Sequence, residues 1–226
     1  MARVAYNRAM PATIPRTRDD KFAERREALG EAALQTLAEL GYARTSLREI
    51  AQNSAFSHGV LHYYFTDKLD LILCSVRQYK GRCVKRYDDV TTDATSYDEL
   101  MEGFVAALGD TLRNEASLHR LWYDLRAQSL FEEAFRGDVA EIDKSLEKMI
   151  WRVLSRFAEF TGEPVRTPSS VAYAMFDGLF QQALLKHLSG DKRAVATLQS
   201  QVRLVVGQLV GAPAPAPKRR RPAKAS

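Results

Sequence analysis

The sequence predicts an all-α chain in two parts: a small N-terminal unit of three helices, followed by a larger helical body. Three observations lead there. Apolar residues recur at threes and fours from Phe22 to Leu209, which is helical spacing. Capping residues stand where those runs begin, as with Ser46 followed by Glu49. No stretch of useful length alternates apolar and polar as a half-buried strand would. At 226 residues, 46% of them aliphatic or aromatic, the chain is long enough for two modest domains with real cores. It contains nothing like a secretory leader or a bilayer-spanning run, so a soluble, cytoplasmic protein without a membrane partner is expected.

Residues 1 to 20 carry two prolines and four arginines without helical period, and read as a flexible basic arm. From Lys21 the pattern becomes helical: Phe22, Leu29, Ala33, Leu37 and Leu40 share a face until Gly41 ends the run. Tyr42 follows as a core aromatic expected against the unit formed by the next two helices. Ser46 and Glu49 form a capping box for a short helix over 46 to 53, with Leu47, Ile50 and Ala51 inward. Ser57 then caps a second short helix, whose Leu61 and Phe65 lie four residues apart on the buried side. His58, Gly59, His62 and Tyr63 are left facing outward. A two-turn helix is not stable alone in water, so neighbours must hold it, and its outer face stays free for recognition. A helix, a tight turn and a short outward-facing helix suggest major-groove reading of DNA.

The order of residues through this stretch resembles the DNA-binding region of TetR-type regulators. The resemblance is carried by Ile50-Ala51, the turn at Ala55-Phe56, Ser57-His58-Gly59, Leu61, His62-Tyr63-Tyr64-Phe65 and Lys68. It covers residues 21 to 70. Two positions depart from the usual pattern. Ala55 stands where the turn commonly has glycine, and would cost roughly 1 kcal/mol if the backbone there were left-handed. Val60 stands where threonine is common, and it can touch a thymine methyl but cannot donate a hydrogen bond. The resemblance implies that Ser57, His58, Gly59, Val60, His62 and Tyr63 enter the major groove, while Thr45, Ser46, Tyr64 and Lys68 grip phosphates.

Asp67 can cap the next helix, which runs through Leu69, Ile72, Leu73, Val76 and Tyr79 to about Val90 and so belongs to both parts. In TetR-like proteins the corresponding helix moves the reading head when ligand binds. Its two cysteines, Cys74 and Cys83, point to opposite sides about 13 Å apart along the axis, and reduced thiols are expected. After a polar connector at 91 to 97, helices are expected over 98 to 113, 116 to 130, 132 to 161, 169 to 188 and 191 to 210. The domain boundaries are then an arm at 1 to 20, a reading head at 21 to 67, a helical body at 68 to 211 and a tail at 212 to 226. The tail alternates alanine with proline and then turns basic. Residues 1 to 26 hold seven Lys/Arg against three acids and 212 to 226 hold five against none, so the net charge of +5 lies entirely in the two ends.

Between 169 and 185 the only charged side chain is Asp177, which marks a helix covered on several sides. Pairing with a second copy would use Val171, Met175, Gly178 and Gln182 on this helix. On the last helix it would use Val195, Leu198, Val202, Val205 and Leu209. A homodimer also suits operator reading, because one short helix contacts too few bases. The body's large side chains include an effector-binding set for a largely apolar or aromatic-compatible small molecule: Phe104, His119, Trp122, Tyr123, Arg126, Trp151, Met175, Phe176 and Phe180. The segment from Ala174 to Leu179, with Asp177-Gly178-Leu179, resembles the branch that contains choline-responsive BetI-type repressors. Trp122, Tyr123 and Trp151 with Asp124 nearby would suit an organic cation.

The four histidines form no metal or catalytic constellation by spacing, neither cysteine has a ligand partner at the usual intervals, and no glycine-rich phosphate loop occurs. A helical enzyme using His119 with Asp124 is the weakest reading. Neither an enzyme nor a bound metal or cofactor is expected. The sequence therefore predicts a DNA-binding transcriptional regulator, most simply a homodimeric repressor released from its double-stranded operator by a small ligand. The alternative is a ligand-independent architectural DNA binder that works through its basic ends.

Overall fold

The computed structural model describes residues 17–42 and 45–211, and among them every regular element is helical. Most of the basic arm, and the alanine-proline tail at 212 to 226, lie outside the described residues. Helix α1 (Arg18–Leu40) begins three residues earlier than the periodicity placed it, because Thr17 and Asp20 form a reciprocal capping box. It ends at Gly41, whose φ of 75° is the region a side chain would strain. Helices α2 (Leu47–Gln52) and α3 (His58–Tyr64) are capped by Ser46 and Ser57, each hydroxyl accepting from the amide three residues on. No non-glycine residue among those described has positive φ, so Ala55 carries no left-handed strain.

Helix α4 (Lys68–Asp93) starts at the Asp67 cap and reaches three residues past the expected end. Thr91 and Thr92 satisfy its last turn by donating to the carbonyls of Tyr87 and Asp88, which lets polar residues stay helical. The body continues with α5 (Tyr97–Asn114), α6 (Ala116–Gln128), a 3₁₀ turn at Glu133–Phe135, α7 (Arg136–Thr161), α8 (Ser169–Leu188) and α9 (Ala194–Val210). The expected helix over 132 to 161 is therefore shorter. Ser129 donates back to Arg126, Leu130 and Phe131 turn out to solvent, and fully buried Phe135 pins the 3₁₀ turn.

Packing makes α4 the spine. It lies against α1 in the head and against α5 and α7 in the body, while α8 and α9 close the far side. Gly30 of α1 lets α4 approach closely: a Cβ there would meet Cys74 Sγ at 3.3 Å, and Ser75 Oγ donates across to the Gly30 carbonyl at 2.8 Å. One hydrophobic core runs without a break from Leu29 and Ile50 through Val76 and Tyr87 to Phe157 and Val206. Head and body therefore share one packed core.

Candidate nucleic-acid interface and effector cavity

Leu61 and Phe65, both almost fully buried, hold α3 on the head, and Arg26 reinforces the junction from α1 by pairing with Asp70 and lying over the Phe65 ring. That leaves Ser57, His58, Gly59, His62 and Tyr63 exposed, with Tyr63 at 64%. A Cβ at Gly59 would meet nothing within 4 Å, so the surface is open there. His58 and His62 stand one turn apart with their Nε2 atoms 3.1 Å from each other. Val60 is half-buried against the core, and Tyr64 stacks on Phe22 at 4.8 Å, so each presents only an edge.

The four expected phosphate contacts divide. Ser46 is exposed at the start of α2. Thr45 is buried and donates its hydroxyl to the Gly41 carbonyl, so its side chain braces the α1–α2 turn and does not reach outward. Lys68 donates to the Tyr42 carbonyl at 3.1 Å with its ammonium over the Tyr42 ring. Tyr42 does not pack on α2 and α3 as expected. Its ring meets Phe135 edge-on at 5.1 Å, its amide donates to Asp124 at 3.0 Å and its hydroxyl to Glu132. Arg120 adds a bond to the Ala38 carbonyl at the end of α1. The first residue of α4 is thus tied, through Tyr42, to α6 and the 3₁₀ turn.

Inside the body a cavity of about 70 Å³ lies between α4, α6, α7 and α8. Lys80, Cys83 and Tyr87 line it from α4, His119, Trp122 and Tyr123 from α6, Leu146 and Met149 from α7, and Tyr173, Phe176, Asp177 and Phe180 from α8. Five of the sequence-derived set are therefore brought together here: His119, Trp122, Tyr123, Phe176 and Phe180. The other four are not. Phe104 is core, edge-on to Tyr87 and Phe176. Arg126 is consumed by ion pairs with Asp143 and Asp177. Trp151 borders a surface groove with Glu147 and Arg152, and Met175 lies on the outer side of α8. The side chain most missed by sequence reasoning is Lys80. It was visible as a lysine inside the apolar run Ile72, Val76, Cys83, Tyr87, where a cation has no reason to be unless it is used.

The electrostatics of this cavity are unusual. Burial pushes the Lys80 ammonium down to about 8, and His119 well below its ordinary value, with the neighbouring Lys80 charge adding to the effect. Burial also pushes the Cys83 thiol up, so it stays protonated. Asp177 accepts from the Tyr123 hydroxyl at 3.0 Å and pairs with Arg126, so its charge is already matched. Cys83, Glu115 and His119 have candidate ligand atoms within 4.8 Å of one another, a grouping that sequence spacing did not reveal. Glu115, however, already takes Arg86 and the Tyr79 hydroxyl, and Lys80 Nζ is 3.2 Å from His119 Nδ1, so a dication would be repelled.

On the outside of the body, α8 exposes Val171, Ala174, Gln181, Gln182, Leu185 and Leu188, with Met175 and Gly178 half-buried between them and open space over Gly178. On α9 the expected stripe is corrected. Leu198, Val202, Val205 and Leu209 are buried in the chain's own core and Val195 packs on Gly109 of α5. The outward ridge is instead Ala196, Ser200, Leu204 and Gln208. The stripe was narrow because α5 needed a surface to pack on.

Comparison with known proteins is consistent with both halves. Residues 29–73 match the family model described as bacterial regulatory proteins, tetR family, and residues 98–207 match the one described as BetI-type transcriptional repressor, C-terminal. The HTH-type transcriptional regulator BetI of Cronobacter sakazakii is 25% identical over 83% of this chain and 92% of its own. The HTH-type transcriptional repressor KstR of Mycolicibacterium smegmatis is 27% identical over 81% and 88%. Among solved structures, a regulator from Saccharomonospora viridis in complex with choline superposes with a TM-score of 0.65 at 18% identity, covering 81% of this chain and 96% of that one. The Bacillus subtilis regulator FadR in complex with stearoyl-CoA gives 0.64 at 18%, covering 81% and 97%. At those identities the likeness speaks for the fold.

Proposed function

This chain belongs to the TetR family of bacterial regulatory proteins and carries a BetI-type C-terminal domain, and from that footing we propose that it is a homodimeric repressor released from its operator by a small effector. The observation that supports this best is the path of α4. Its first residue, Lys68, sits at the reading head, and about three to four turns later Lys80 and Cys83 form one wall of the body cavity.

In the bound state Ser57, His58, His62 and Tyr63 enter the major groove, Gly59 and Val60 approach the bases, and Ser46, Tyr64 and Lys68 meet the backbone. The outward faces of α8 and α9 pair with a second copy, which places two α3 helices about 34 Å apart, one groove repeat. An effector entering the cavity pushes α4 away from α7 and α8. The shift passes to Lys68 and Tyr42 and favours a spacing that no longer fits the groove.

The test is equilibrium binding of the full chain to DNA from upstream of its own gene against a scrambled fragment at one near-physiological salt concentration. A preference of ~1,000-fold is expected. Tyr63→Ala with Lys68→Ala should abolish most of it. Unchanged affinity in that double variant would remove α3 and the start of α4 from the interface.

A further inference from the structure

The cavity is surrounded by hydrogen-bond donors with nothing to receive them. Lys80 is buried, and its ammonium has no acid partner among the described residues. Its one hydrogen-bond partner is His119 Nδ1 at 3.2 Å, which leaves two ammonium hydrogens unused. Because Nδ1 accepts from Lys80, the neutral imidazole carries its hydrogen on Nε2, and that atom is buried with no partner. The indole Nε1–H of Trp122, a residue only 1% exposed, also has none. Three donor groups on two facing helices, one of them charged, are thus left unmatched in a mostly apolar cavity. Leaving such groups unpaired is costly, and native cores rarely tolerate it without a use.

The missing partner must accept hydrogen bonds, be negatively charged and present an apolar body to Tyr87, Leu146, Met149 and Phe176. We propose that the cavity binds an apolar monocarboxylate, whose carboxylate is received by Lys80 and the Trp122 indole. This takes the cavity to be the effector site, as above, and specifies what enters it. A carboxylate offers two oxygens, one for the Lys80 ammonium and one for the indole N–H, while His119 holds the ammonium in place through Nδ1. A quaternary ammonium would fare badly: the aromatic faces of Trp122 and Tyr79 are already within 5.2 and 5.4 Å of the Lys80 ammonium, and a second cation beside it would be repelled. Asp177, the acid of the lining, is neutralised by Arg126 and so offers a cation little.

Size adds a second constraint. An engineered cavity of about 150 Å³ holds benzene. The 70 Å³ present here admits the head group and a short stem, so the flexible Met149 and Leu146 on α7 must give way for the tail. Binding then moves α7 relative to α4, the displacement that release requires.

The experiment compares three head groups on one tail: hexanoate, 1-hexanol and hexyltrimethylammonium, with benzoate as a second acid. Binding to the full chain is followed by calorimetry and by tryptophan emission in a Trp151→Phe background, where Trp122 is the sole reporter. At least one acid should bind about tenfold or more tighter than the alcohol and the cation, and Lys80→Met should weaken it by about the same factor. Trp122→Phe, followed by calorimetry, should weaken it severalfold. If the cation or the alcohol binds as well as the acids, if neither acid binds, or if Lys80→Met leaves acid affinity unchanged, the proposal is overturned. Adding the acids to the operator complex separates the two readings. An acid that binds through Lys80 without releasing DNA refutes the effector role and keeps the ligand class, whereas release by a ligand without a carboxylate does the reverse.

Discussion

Replacing Lys80 by methionine should make the protein more stable at neutral pH. The folded chain holds this lysine at about 8 against 10.5 for a free side chain, a difference worth roughly 3 kcal/mol carried below pH 8. Methionine has a similar length and no charge, so after losses in packing Lys80→Met should gain about 2 kcal/mol at pH 7. The sign with pH follows from the same displacement. Folding weakens proton binding, so between about 8 and 10.5 the unfolded chain holds the extra proton, and the Lys80 contribution to stability rises with pH.

Cys83 on the same helix, His119 and Glu115 around the start of α6, Arg86, Asp143 and Asp177 all bear on this site. Cys83 acts in the opposite sense, because its raised pKa loses stability as pH rises. Lys80 holds the Cys83 thiol down, so the variant loses slightly more through Cys83 as pH rises, which narrows the gap in the same direction. Urea unfolding followed by circular dichroism, at one protein concentration, should show the gap narrowing by about 1 kcal/mol from pH 7 to pH 9. A variant that is less stable at pH 7, with a gap independent of pH, would mean that the ammonium is matched in the fold, and the argument from unused donors would fail.

Three other outcomes are expected. Leu185→Glu with Leu204→Glu places charges on the outward ridges of α8 and α9 and should convert a dimer to monomer by light scattering, whereas the same change at exposed Phe131 should not. Phe135→Ala removes a fully buried ring that also supports Tyr42, and should cost about 3–5 kcal/mol in urea unfolding. Asp124→Ala deletes the acceptor of the Tyr42 amide. It should lower stability by about 1–2 kcal/mol and speed amide exchange at Tyr42, because α6 no longer holds the start of α4; unchanged exchange would remove this contact from the route between cavity and head.

The reading head was legible because its determinants are local. Ser46, Ser57 and Asp67 cap their helices within four residues, and Leu61 and Phe65 mark the buried side of α3 without reference to the rest of the fold. The cavity was half legible. Trp122, Phe176 and Phe180 are large and central, but nothing local distinguishes them from Phe104, which became core because Tyr87 and α8 reached it first. Whether a buried ring faces a void or a neighbour depends on packing between helices distant in sequence, and periodicity does not encode that. The same limit misplaced the α9 stripe. Val202 and Val205 looked suited to a second copy, and they are buried in the chain's own core, where α9 packs on α5, α7 and α8.

Lys80 shows what sequence reading can add once packing is known. An apolar stripe at 72, 76, 80, 83 and 87 interrupted by a lysine is a local conflict, and such conflicts in otherwise consistent sequences gather at functional positions. A lysine placed there for solubility would have turned outward, as Lys85 does. Lys80 instead stays buried at a cost of several kcal/mol, with His119 as its hydrogen-bond partner and the indole of Trp122 alongside. An anion received by Lys80, as proposed above, would relieve that cost. The relief is differential binding energy between two states of α4, which is the quantity a ligand needs if it is to shift the reading head.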